Sequence, residues 1–202
     1  MTPKRVLVFD TETTGLPKDR VNALLRAGNW PDIVSIAWTI HDGGSRVDSK
    51  YSIIIPESWK IPAESIKFHG ITQEVATVTG SPLSKILQKF AADLKTVDTV
   101  VAHNLEFDRN VLFNAYKWRL GIDPLSLWPK NEFCTMNASE HELRIPLQRP
   151  HYNKKYKSPG LDELYRATFG VPPIANAHNS LRDVEVLSQI ITKRWPHLSG
   201  SV

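Results

Sequence analysis

The sequence predicts a mixed α/β fold, with antiparallel strands early and helices late. Three observations lead there. Short β-branched and aromatic runs fall at Arg5 to Phe9, Ile33 to Ile40 and Tyr51 to Ile55. From Leu83 onward apolar residues recur at helical spacing instead. Between two of those helical stretches lies one more short apolar run, Thr99-Val100-Val101-Ala102, too short for anything but a strand. The order strand–strand–strand–helix–strand–helix–helix–helix is that of a sheet sandwiched by helices.

Taken in order, Arg5 to Phe9 reads as a strand buried on both faces. Asp42-Gly43-Gly44-Ser45 is a turn, so the second and third strands form an antiparallel hairpin or meander. Ser81-Pro82 supplies an N-cap and first-turn pair for a helix in which Leu83, Ile86, Leu87, Phe90, Ala91, Leu94 and Val97 make one stripe. Asn104 can cap the next helix, which Gly121 and Pro124 stop. A short helix runs from Leu161 to Phe169 and closes at Gly170. The last spans about Leu181 to Trp195, with Leu181, Val184, Leu187, Ile190 and Ile191 inward and Pro196 ending it. Between Cys134 and Pro159 there is no clear periodicity, and the residues from about 140 to 159 read as a basic loop carrying Arg144, Arg149, Lys154, Lys155 and Lys157.

Composition removes several classes. The 202 residues are 41% hydrophobic and 23% charged, which allows a real core and excludes a disordered chain. One domain over residues 1–202 is the expectation for this length. The longest apolar runs are a handful of residues against the roughly 20 needed to span a bilayer, so no membrane partner is expected. Cys134 stands alone, which excludes an internal disulfide and a cysteine-rich zinc site. Met1-Thr2-Pro3-Lys4-Arg5 leads straight into a strand-like run with no room for a secretory apolar segment, so an intracellular, cytoplasmic location is expected. A net charge of +4 is compatible with a polyanionic partner without establishing one.

Three segments carry acids where strands end or helices begin. Asp10 and Glu12, in Phe9-Asp10-Thr11-Glu12-Thr13-Thr14-Gly15-Leu16, are two apart on a strand and share a face. Two carboxylates so placed repel unless a cation lies between them, and a hard cation such as Mg²⁺ wants such oxygens. The alternative is a solvated strand end. Asp108, in Ala102-His103-Asn104-Leu105-Glu106-Phe107-Asp108, falls in a first helical turn, where Glu106 and Asp108 also simply suit the helix dipole. His178 and Asp183 are five apart, about 140° on one ideal helix. They can converge if His178 lies in the loop and Asp183 in the first turn. Ser180 with Asp183 also reads as a capping box.

Together these segments resemble the motifs of the DEDDh subgroup of the DnaQ-like 3′–5′ exonucleases, over about residues 5 to 192. Phe9 to Leu16 matches the first motif, His103-Asn104 through Phe107-Asp108 the second and His178 to Asp183 the third. Phe68-His69-Gly70-Ile71-Thr72 resembles the family's His-Gly-Ile-Thr segment, which lies near the bound strand. Cys134-Thr135-Met136 and Lys157-Ser158-Pro159-Gly160-Leu161 resemble bacterial and phage-type proofreading-like members.

The resemblance implies a ribonuclease-H-like fold, whose mixed sheet has three antiparallel strands followed by parallel ones. It implies phosphodiester hydrolysis with two divalent metal ions, Mg²⁺ with Mn²⁺ as a substitute, held by Asp10, Glu12, Asp108 and Asp183, with Asp10 bridging both. His178 becomes the general base toward the attacking water, a task that suits imidazole, whose ordinary pKa is about 6.5. Backbone N–H groups of Thr13, Thr14 and Gly15 would meet the terminal nucleotide and Leu16 would wedge against its base. His69 and Ile71 would stack on terminal bases, and Asn104 would bind a phosphate or sugar or only cap; Leu16 and Ile71 equally read as core. The expected partner is nucleic acid with a free 3′ end, preferentially single-stranded DNA. RNA trimming and a non-catalytic binding module are the alternatives. A monomer or homodimer with free-standing activity is expected, with association in a polymerase or repair assembly left open.

Overall fold

The computed structural model describes residues 5–152, 154–172 and 178–198. Its main sheet comprises β1 (Arg5–Thr13), β2 (Ile33–Asp42), β3 (Ser45–Ile53), β4 (Thr99–Ala102) and β5 (Asn131–Cys134). Their spatial order is β3-β2-β1-β4-β5. β1–β2 and β2–β3 are antiparallel, whereas β1–β4 and β4–β5 are parallel. This is the mixed ribonuclease-H-like sheet that the motifs imply. Gly43 and Gly44 alone join β2 to β3, with φ of 55° and 85°; a two-residue turn with both φ positive matches the twist of the strands it joins.

The alternation along β1 divides the core into two. Leu7 and Phe9 face one layer, with Phe90 and Leu94 of α3 (Leu83–Leu94) and Leu112 of α4 (Leu105–Asn114). Val6 and Val8 face the other, where Val184, Leu187 and Ile191 of α7 (Ser180–Arg194) pack. A third layer forms where α6 (Leu161–Phe169) sets Leu164 against Val186 and Ile190 of α7. Among the described residues, no helix is long and apolar enough to cross a membrane.

Several local expectations are corrected. β3 begins at Ser45 rather than Tyr51, because its first half is an exposed edge strand held by pairing with β2 and has no apolar run to betray it. Helices α1 (Ala63–His69) and α2 (Gln73–Thr79) were not anticipated, each being too short to show a stripe. The His-Gly-Ile-Thr segment is their junction: Gly70 ends α1 at φ 73°, and the Thr72 hydroxyl accepts the Val75 N–H to start α2. Ser81 does not cap α3; its backbone pairs with Ile53 and Ile55, leaving Pro82 at the helix entry. Asn104 sits at the entry of α4 in the left-handed region, φ 71°, and its side chain makes no capping bond. The stretch read as a basic loop contains α5 (Thr135–Leu143) and a hairpin of β6 (Pro146–His151) and β7 (Lys154–Tyr156). Its strands are short and its turns irregular, so neither period emerges from the sequence.

Candidate active site

The site follows from unequal strand lengths. β1 pairs with β2 as far as Thr13 but with β4 only at Val6–Val8. Beyond Val8 the edge of β1 that faced β4 is open, and its amides need partners. Asp108, in the first turn of α4 and 3% exposed, supplies one: its Oδ1 accepts the Thr11 N–H at 3.1 Å and the Thr11 hydroxyl at 2.6 Å. Asp10 and Glu12 continue the Val6–Val8 face toward α7, whose first turn carries Asp183. Carboxylate oxygens of Asp10, Glu12 and Asp183 all lie within 4.8 Å of one another. Asp108 stands outside that trio, yet of the neighbouring charges it raises Asp10 most.

The start of α7 differs in detail from the expected capping box. Asn179 is the cap, its side chain accepting the Arg182 N–H at 3.2 Å. Ser180 is fully buried and its hydroxyl meets that of Ser35 on β2 at 2.9 Å, which pins the helix end to the sheet. His178 lies before the helix at φ 62°, exposed, with its ring edge-on to Phe68 at 5.7 Å between centroids. Loop histidine and first-turn aspartate are thus placed as the spacing requires.

Crowding and burial make the acids weak. Burial raises Asp10 well above the usual carboxylate range, and Asp108, Glu12 and Asp183 raise it further. Burial, then Asp183 and Asp108, push Glu12 up to about 8. Burial pushes Asp108 up to about 7 against its bonds from Thr11, and Asp183 is raised by burial against the Arg182 guanidinium. Hard oxygen donors that repel in this way fit divalent cations, which would remove the repulsion.

The same shifts predict a metal-dependent pH profile of stability. A carboxylate with a raised folded pKa holds more protons folded than unfolded between its ordinary and raised values, so the fold loses stability as pH rises through that window. His41 and His103, pushed down by burial to about 4, act oppositely, but only below the ordinary imidazole value. In EDTA the melting temperature is expected to fall by about 5–10 °C between roughly pH 6.5 and 8.5, and with Mn²⁺ to stay level. Calorimetric scans decide this; a level profile in EDTA would contradict it.

A cavity of about 430 Å³ opens beside the acids, walled by Glu12, Thr13, Leu16, Phe68, Phe107 and His178. Leu16 is 76% exposed, far from a core position. Asn104 faces a smaller neighbouring cavity with Leu16, Arg20 and Phe107. Other expected contacts are corrected. Ile71 is buried in a separate cluster with Val34, Ile61 and Ala76 and cannot stack on a base. His69 is 7% exposed, and its Nδ1 accepts the Ile71 N–H at 3.0 Å, so at most its edge reaches the cavity. The Thr14 N–H is taken by the Asp32 carbonyl at 3.0 Å and is not offered to a nucleotide. The Gly15 N–H leans on the Thr13 hydroxyl at 3.4 Å. The exposed aromatic in this region is Phe68, at 65%. It was missed because the face of α1 cannot be read without knowing that α1 exists. His103 of the second motif is a staple, bonded to Thr135 at 3.0 Å and to the Pro159 carbonyl at 2.9 Å.

Weak carboxylic acids gathered at the end of a mixed sheet, beside a cleft with apolar walls, point to the class of nucleases that work on phosphate with divalent cations. A family model described as exonuclease, of the RNase T type, matches residues 7–191. The chain belongs to that exonuclease family, in the DnaQ-like group. It is similar in fold to Escherichia coli exonuclease I in its zinc-bound complex with single-stranded DNA, with a TM-score of 0.74 and 16% identity over 96% of this chain and 42% of that one. The same enzyme in complex with a dT13 oligonucleotide gives a TM-score of 0.71 and 17% identity, with the same coverage. Exonuclease X bound to 5′-overhanging duplex DNA gives a TM-score of 0.58 and 21% identity over 93% of this chain and 89% of that one. The chain thus spans less than half of exonuclease I. A comparison with curated protein sequences gives no match.

Proposed function

We propose that the chain is a metal-dependent 3′–5′ exonuclease that releases nucleoside 5′-monophosphates, preferentially from single-stranded DNA. The observation that carries the reading is the convergence of Asp10, Glu12 and Asp183 within 4.8 Å, beside a cleft whose wall includes His178. Asp10, Glu12, Asp108 and Asp183 would hold two divalent ions, Mg²⁺ or Mn²⁺, with Asp10 shared. Bound there, the cations supply Lewis-acid charge that stabilises the negative charge developing at the phosphate. His178 accepts a proton from the attacking water as the new phosphorus–oxygen bond forms and the bond to the 3′-oxygen breaks. Leu16, Phe68 and Phe107 offer apolar contact to the terminal bases, and Asn104 and Arg20 stand where a phosphate or sugar would pass. The single-stranded DNA bound by exonuclease I supports the choice of substrate.

The test uses matched 5′-labelled single-stranded DNA and RNA with Mg²⁺, Mn²⁺ or EDTA. Shortening by one nucleotide at a time, abolished by EDTA and faster on DNA, is expected. Faster RNA shortening would make the protein an exoribonuclease. Binding without shortening under every condition would reduce it to a binding module.

The β6–β7 hairpin would add phosphate contacts, through fewer charges than its composition suggests. Lys154 is paired with Glu140 at 2.9 Å and Lys157 with Glu163 at 2.5 Å. Arg149 and Lys155 are exposed, and the fully exposed Tyr152 stands at the tip. Replacing Arg149 and Lys155 by Gln should reduce the salt slope of single-stranded DNA binding by about 1, whereas replacing Lys154 and Lys157 should change it much less. Equal effects of the two pairs in a fluorescence titration would contradict this.

A further inference from the structure

Arg182 lies between the acid cluster and the carboxylate of Asp162 outside it. Its side chain is 11% exposed; Nη1 donates to Asp183 Oδ1 at 2.6 Å and Nη2 to Asp162 Oδ1 at 2.9 Å. Asp183 contributes to the trio of converging oxygens, while Asp162, in the first turn of α6, is about half exposed and outside it. One partly buried cation is therefore shared by an inner carboxylate of the converging trio and an outer one that lies outside it.

We propose that Arg182 is a positioning residue that sets the divalent-metal affinity of the site, and that Asp162 sets how strongly it does so. The inference rests on the reading of Asp183 as a metal ligand. The guanidinium and a divalent ion compete for the same carboxylate, since each is a cation drawn to the same oxygens. Without metal, Arg182 offsets part of the repulsion among the acids. With metal, its charge opposes the incoming ion, and the bond to Asp162 gives the guanidinium a place to lean outward. A fork that spans two carboxylates is a property of Arg that Lys cannot reproduce.

The experiment measures Mn²⁺ binding by calorimetry in the absence of nucleic acid, for wild type, Arg182→Gln, Asp162→Asn and the double variant, with Asp183→Asn as the control on the ligand. Arg182→Gln is expected to tighten Mn²⁺ binding about tenfold, because a neighbouring positive charge is removed. Asp162→Asn is expected to weaken it severalfold in wild type and to have a smaller effect in the Arg182→Gln background, where only its direct charge on Asp183 is left. Arg182→Lys should fall between wild type and Arg182→Gln. A merely structural role would instead weaken binding in both single variants. Weaker Mn²⁺ binding by Arg182→Gln, or an equal effect of Asp162→Asn in both backgrounds, would overturn the proposal while leaving Asp183 a ligand. Mn²⁺ binding that survives unchanged in Asp183→Asn, or is absent from wild type, would overturn the ligand reading and this proposal with it.

Discussion

Asp10→Asn is expected to lower the rate of nucleotide release by at least about a thousandfold and, in the same protein, to raise the melting temperature in EDTA at pH 8. The two effects have one cause. Asp10 is the most crowded of the four acids, raised by burial and by Asp108, Glu12 and Asp183 together. The amide removes a buried charge that the metal-free fold holds at a cost, so stability rises. It also removes the shared anionic ligand, and charge stabilisation at the reacting phosphate is the largest contribution such a site makes to catalysis. The proton that Asp10 itself takes up on folding is also lost, so the fall of stability between about pH 6.5 and 8.5 should shrink as well. Single-turnover assays with Mg²⁺, paired with melting curves in EDTA, check both halves. Near-normal turnover would remove Asp10 from the metal site, and lost turnover with a lowered melting temperature would mark a folding defect.

His178→Ala should reduce the rate by about 10² to 10⁴, the usual worth of a positioned general base, while leaving Mn²⁺ affinity close to wild type. His178 stands in the cavity wall, outside the converging oxygens of Asp10, Glu12 and Asp183. Its exposed ring rests edge-on against Phe68 and is open to solvent. Little stability is therefore at stake, and added imidazole should restore part of the rate. A variant that keeps its turnover would take the proton-transfer role away from His178. One that loses Mn²⁺ would make it a ligand instead.

The parts of the site that sequence made legible are those set locally. Asp10 and Glu12 share a face because strand side chains alternate, and their position after Phe9 marks a strand leaving the core. His178 before the helix and Asp183 in its first turn follow from the start signal at Ser180, although Asn179 is the residue that caps, because Ser180 is turned to Ser35. Phe68 and Ile71 show the opposite case. Both are apolar and three apart, yet one is 65% exposed at the cleft and the other 7% exposed in a core, because a two-helix junction at Gly70 turns the chain between them. The hairpin after α5 was hidden likewise, and with it the pairing of Lys154 and Lys157 that leaves fewer free charges than the composition implies.

By itself, then, the sequence set the layered α/β architecture, since alternation and helical stripes act over a few residues, and the resemblance of its motifs pointed to the family and to the five residues on which the proposed chemistry rests. The tertiary structure alone decided how those residues meet. Asp108 reaches Thr11 because β4 pairs with β1 only as far as Val8, Asp183 joins Asp10 and Glu12 because Ser180 is pinned to Ser35, and Arg182 is shared because α6 packs beside α7. Each of these is a matter of register between elements far apart in the chain, and no local pattern carries it.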